Sequence, residues 1–162
     1  MQLVVKNKFW SLGGASTVKD IQDNPVANVK GKVFSITKKK FIKDLQGNTQ
    51  YIVRNKFWHF FMKSAYIYDK DKNLVCQIKR KFQIGSKFRF LKCGDKNWEI
   101  DGNFWGWNWK LLENGVVIAA VSRRMDWTDA FVLDTGAQDP LLMVALVIAL
   151  DNITDREKGQ RN

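Results

Sequence analysis

This chain is poor in the residues from which many active sites are built. It has one histidine, His59, two cysteines, Cys76 and Cys93, and two prolines. Two cysteines do not make a disulfide framework. They point to a reducing cytosol, with Cys76 as inert packing in an apolar strand pattern. One histidine and two separated cysteines leave a zinc site without ligands. Neither G-x-x-x-x-G-K-[ST] nor G-x-G-x-x-G occurs, and Gly13-Gly14 is a turn signal too short to cradle a phosphate. His59 sits between Trp58 and Phe60 and reads as a packed or rim residue rather than a base. With no paired-carboxylate pattern either, the expectation is a non-enzymatic protein with no cofactor and no metal. The start, MQLVVKNKFW, reaches charge too soon for the apolar core of a signal peptide. No apolar run reaches the roughly 20 residues that a bilayer span needs.

The apolar run that does occur is informative for that reason. Leu141 to Leu150 carry no polar side chain. With Pro140 they make about 16 Å of helix, the length of a buried core helix rather than a span. Asp139-Pro140 is a helix start, Asp capping the first N–H groups and Pro suiting the first helical position. A helix without a polar face must be surrounded on all sides, and here the protein itself must do it. Burial at ~1.5–3 kcal/mol for each large side chain makes the segment indispensable to the fold. The expected helix covers about 139–153, and 154–162 is expected to be a frayed polar tail.

Hydrophobic content of 45% with 13% aromatics excludes disorder, and 162 residues fit one domain over 1–153. The residues before the apolar segment repeat. Phe9, Phe34, Phe57 and Phe82 recur every 23 to 25 residues, and Asp20, Asp44 and Asp69 recur at 24 and 25. Each Asp precedes a turn, and each turn precedes an alternating run: VANVKG, QYIVRNK, LVCQIKR. Each unit reads as strand, strand ending in Asp, tight turn, strand, the Asp side chain bonding local backbone. A looser fourth copy covers 82–101, with KFRFL and WEIDG as its strands. Asn114-Gly115 is a hairpin turn, and AFVLD at 130–134 is the last strand. The fold class that follows is mainly β: about twelve antiparallel strands closed into a β-barrel around a central hydrophobic C-terminal α-helix.

KNKFWSL, the Asp-ended units at FIKD and AYIYD, LVCQIKRKF, WEIDGNFWG, VVIAAVSRR and DPLLMVALVIALDNI together resemble the LURP-one-related family. That family falls within the Tubby C-terminal-like superfamily, which includes phospholipid scramblases. The resemblance covers about residues 2–153. It implies a twelve-stranded barrel around a hydrophobic helix, and it raises phosphoinositide binding and lipid scrambling as activities of relatives. The chain lacks the long N-terminal extensions and the cysteine-rich or calcium-loop features associated with scramblases.

Charge supplies the remaining lead. The chain carries net +11, divided as +14 over residues 1–95 and −3 over 96–162. The basic clusters are Lys38, Lys39, Lys40 and Lys43, then Lys79, Arg80 and Lys81, then Lys87 and Arg89 on one strand face. The last pair loosely resembles the phosphoinositide site of Tubby domains. These nine residues are the candidate anion- or lipid-binding set. Trp105, Trp107 and Trp109 alternate and read as a barrel wall packed on the helix or covering a barrel end, ahead of a stacking platform for bases. The expected function is weak peripheral binding of an anionic membrane lipid or another anionic ligand, in the cytoplasm, without a transmembrane span. Nucleic-acid binding, a protein-interaction scaffold and an enzyme with a barrel-mouth pocket stand behind it.

Overall fold

The computed structural model describes residues 1–6, 15–32, 39–56, 64–80, 89–103, 108–123 and 130–158. For 6, 56, 80, 89, 90, 103, 123 and 154–158 it describes the backbone alone. Phe9, Phe34, Phe57, Phe82, His59, Trp105 and Trp107 fall outside these residues.

Twelve strands precede one helix: β1 (Gln2–Lys6), β2 (Ala15–Asp20), β3 (Pro25–Gly31), β4 (Lys40–Lys43), β5 (Thr49–Lys56), β6 (Ser64–Asp69), β7 (Leu74–Arg80), β8 (Arg89–Cys93), β9 (Trp98–Asn103), β10 (Asn108–Glu113), β11 (Val116–Arg123), β12 (Ala130–Thr135) and α1 (Pro140–Lys158). They form one antiparallel sheet in the order β8-β7-β6-β5-β4-β3-β2-β1-β12-β11-β10-β9. Nearly every strand pairs with its neighbours in sequence. The exceptions are β1, which pairs β12 from Gln2↔Asp134 to Lys6↔Ala130, and the seam between β8 and β9, bridged by Cys93↔Lys96. The result is a nearly closed barrel, as the sequence predicts.

Alternation fixes what fills it. Val18, Ala27, Val29, Ile42, Val53, Ala65, Ile67, Ile78, Val121 and Leu133 are buried on the inner face, because successive strand side chains point to opposite sides. On α1, every residue from Leu142 to Ile153 is buried, so the helix is the core of the barrel rather than a face of it. Asp139 starts it: its Oδ1 accepts the Leu142 N–H at 2.9 Å. Its Oδ2 accepts a hydrogen bond from the Tyr51 hydroxyl at the start of β5. Burial and then the Asp139 carboxylate push the Tyr51 phenol well above its ordinary pKa, which keeps it a donor.

Two expectations are corrected. The helix does not end at about 153; it continues to Lys158, so residues 154–158 are helical. A carboxylate near a helix C-terminus costs only ~0.3–1 kcal/mol, less than burying the Ile153 side chain gains. The two cysteines are not separate thiols. Cys76 on β7 and Cys93 on β8 are register partners joined by a disulfide. The strand expected at KFRFL runs on to Cys93, which brings the two sulfurs face to face. The cysteines therefore give no support to a reducing compartment. Among the described residues no helix is long and apolar enough to cross a membrane.

Candidate anion-binding face

The meander gathers its tight turns at one end. The tight turns after β2, β4, β6, β8 and β10 lie on one rim, and α1 enters there. The other ends of the strands form the second rim, toward which α1 runs.

At the turn rim the repeated Asp organises each hairpin. Asp20 Oδ1 accepts the N–H groups of Gln22 and Asn24, both at 2.9 Å. Its Oδ2 accepts Nδ2 of Asn24 at 3.0 Å. Asp69 does the same with Asp71 and Asn73. Asp44 accepts the N–H and Nδ2 of Asn48, and Nε2 of Gln50 at 2.8 Å. The residue before each Asn takes a positive φ: Asp23 71°, Gly47 87°, Lys72 68°. Just beyond each turn a bulge leaves one residue unpaired, namely Val26, Gln50 and Val75, and β10–β11 repeats it at Ile118. These donors hold all three carboxyls below their ordinary range. Asn24 is the main cause for Asp20 and Asn73 for Asp69. For Asp44, burial pushes the other way and the bonds from Asn48 and Gln50 outweigh it. The recurring Asp is thus a turn residue, as expected. The Asn four residues on is a partner that the sequence also repeats.

At the opposite rim, six of the twelve strand ends are basic residues in the sequence, namely Lys6, Lys40, Lys56, Arg80, Arg89 and Arg123, and none is acidic. On the outer wall beside it, register assembles charges that the sequence keeps apart. Lys40 faces Val53 and Gly31 faces Lys40, so Lys39 stands between Lys32 and Arg54. The Lys32 N–H donates to the Lys39 carbonyl at 3.1 Å. Arg54 faces Tyr66 on β6, and Lys56 and Lys79 both face Ser64. The Lys39 ammonium is pushed below its ordinary pKa, by Arg54 first, then by burial, Lys32 and Lys72. Cations crowded closely enough to repel one another form a place where an anion is favoured. Aromatic surface adjoins them: the Arg54 guanidinium lies 5.9 Å from the Tyr68 ring centroid, and Tyr66 and Tyr68 stack at 6.5 Å.

Of the nine candidate residues, Lys39 and the exposed Lys79 lie on this face. Lys43 shares the outer side of β4 but stands at the turn end. Lys40 alternates inward with Ile42 and is buried. Lys38, Lys81 and Lys87 lie outside the described residues, and Arg80 and Arg89 are placed by backbone only, as register partners. Lys30, Lys32 and Arg54 were missed, since they come from two strands and a strand end and form no run. Trp109 is buried in the core, in keeping with a packing role. Among the described residues no group of three or more His, Cys, Asp or Glu side chains is placed to hold a metal.

Comparison with known proteins agrees with the architecture. The chain is 27% identical over 162 residues to a Bacillus subtilis (strain 168) protein described as uncharacterized protein YxjI, covering 99% of this chain and 98% of that one. The crystal structure of an Arabidopsis thaliana protein superposes with a TM-score of 0.65 at 16% identity, over 94% of this chain and 90% of the other; that likeness shows the fold. The family model described as LURP-one-related matches residues 1–151, and the chain belongs to that family.

Proposed function

We propose that this chain is a non-enzymatic binding barrel whose cationic outer face docks weakly on anionic phospholipid. The observation that carries this reading is the juxtaposition of Lys32, Lys39 and Arg54 across β3, β4 and β5, with Lys79 beside them. Each cation near an anionic leaflet contributes ~1 kcal/mol, so a handful gives reversible attachment without insertion. Tyr66 and Tyr68 suit the interfacial level, where amphipathic rings sit.

Co-sedimentation with phosphatidylserine-containing vesicles tests it. The chain is expected to pellet with acidic vesicles at low salt and not with phosphatidylcholine alone. Changing Lys32, Lys39 and Arg54 together to Ala should weaken partitioning by about two orders of magnitude, at ~1 kcal/mol each. Equal pelleting with neutral and acidic vesicles would refute it. Tighter binding to a single-stranded oligonucleotide, with a steep salt slope, would replace it by nucleic-acid binding.

A further inference from the structure

An ordinary lysine is a poor nucleophile at neutral pH, where roughly one amine in a thousand is unprotonated. Neighbouring charge changes that fraction. Lys19, Lys70 and Lys96 stand against carboxylates, those of Asp23, Asp71 and Glu113. For Lys70 the Asp71 carboxylate raises the pKa, so this amine is held charged and inert. Lys39 has the opposite setting. Register sets it between Lys32, just beyond β3, and Arg54 on β5, and both neighbours are cations. A guanidinium does not give up its proton in a protein, so repulsion in this group of three is relieved at a lysine. Lys39 is crowded from both sides, and its pKa is lowered, by Arg54 first.

The same residues supply a place for a leaving group. Cations gathered this closely favour a phosphate dianion. The Arg54 fork matches two phosphate oxygens at once, and the guanidinium lies beside the Tyr68 ring, a contact that favours one position for it. Lys39 and Arg54 stand on neighbouring chain segments about 4.8 Å apart. A donor whose phosphate lies on Arg54 therefore presents its carbonyl carbon to the Lys39 amine. Exposure alone selects differently, because Lys32 and Lys70 are exposed whereas Lys39 is half-buried.

We infer that Lys39 is a modification site, where its neutral amine takes the acyl group of an acyl phosphate gathered by Lys32 and Arg54. The Nζ electron pair forms the C–N bond. The bond from the carbonyl carbon to the phosphate oxygen breaks, and phosphate leaves with that electron pair. The amine, having already released one proton to water, gives a second to the departing phosphate. The product is a neutral amide, so one positive charge leaves the face. The inference shares this face with the lipid reading but does not rest on it, since it needs only a soluble donor.

Incubation of the whole chain with acetyl phosphate, followed over time by peptide mass spectrometry, tests this. Lys39 is expected to be acetylated about tenfold faster than Lys70, the lower end of what a focused field supplies. Arg54→Gln should slow Lys39 by a similar factor and leave Lys70 unchanged, with cooperative melting as the check that the variant is folded. Excess inorganic phosphate, which competes for the same cations, should slow Lys39 in the unaltered chain. Equal rates at Lys39 and Lys70, or a Lys39 rate that neither Arg54→Gln nor phosphate lowers, would overturn the inference. Vesicles separate it from the lipid reading. If that reading holds, Lys39→Gln, which removes the same charge, partitions onto acidic vesicles about fivefold more weakly, one cation's share. Preferential acetylation of Lys39 with unchanged partitioning of Lys39→Gln sinks the lipid reading alone. Weakened partitioning of that variant with no preference for Lys39 in the acetylation sinks this inference alone.

Discussion

Gly102 shows how far a single residue can decide local structure. It faces Trp109 across β9 and β10 at φ 125°, a conformation that side chains rarely adopt. A Cβ there would sit 2.6 Å from the Asn108 carbonyl oxygen and 2.7 Å from the Trp109 Cα, both backbone atoms that cannot swing aside. Gly102→Ala is expected to lower stability by ~2–4 kcal/mol through strain and overlap; a chemical-denaturation midpoint equal to wild type would show that the strand shifts freely. Trp109 itself is buried. The sequence offers a glycine inside WEIDGNFWG but no sign of what it faces. That depends on register between two strands, which composition does not carry. Arg54 was hidden for the same reason: nothing nearby in sequence marks it as a neighbour of Lys39.

The hairpin is the unit in which this sequence is most legible. The Asp spacing, the turn after it and the alternating run after that all point to strand–turn–strand, and three hairpins follow that plan. Asn114-Gly115 closes the two-residue hairpin between Glu113 and Val116 that its residue types demand. The fourth copy was read loosely because Cys93 stands where the others have Asp, and the shifted strand end concealed the disulfide. The Asp turns also set an acid response. Asp20, Asp44 and Asp69 have folded-state pKa values below their ordinary value of 3.8. Between the folded and unfolded values the native state binds fewer protons than the unfolded chain. Their contribution is therefore present above pH 4 or so and is lost as pH falls through the lower folded values. Replacing Asn24, Asn48 and Asn73 together by Ala should flatten the fall in urea midpoint between about pH 4 and pH 2. An unchanged slope would place the acid sensitivity elsewhere.

At the scale of the whole molecule, the barrel and its filling follow from two readings together, about twelve antiparallel strands and a helix without a polar face that needs walls all round. Where those walls fail to join could not be read, because the seam at β8 and β9 leaves no mark in either strand's pattern. The Cys76–Cys93 bond lies one strand from that seam and closes a loop of 17 residues. A cross-link of that span stabilises by ~3 kcal/mol, so reduction should lower Tm by roughly 6–12 °C for a domain of this size. Melting curves that coincide with and without reductant, once a thiol assay confirms reduction, would show that packing alone holds β8.

The pairing of β1 with β12 bears on the order in which the protein is put together during translation. Hairpins from β2 to β11 need only residues close by, so each can form as it emerges from the ribosome. The first strand has no such freedom on its outer edge: its partner is synthesised after eleven strands, and the segment that must occupy the centre comes later still. The wall is therefore complete in length before it has anything to close around. A nascent chain at that stage carries an apolar inner surface open to water, together with the two strand edges, β8 and β9, at which the sheet ends. The interval between β12 and α1 is thus the moment at which this chain most needs shelter from its neighbours.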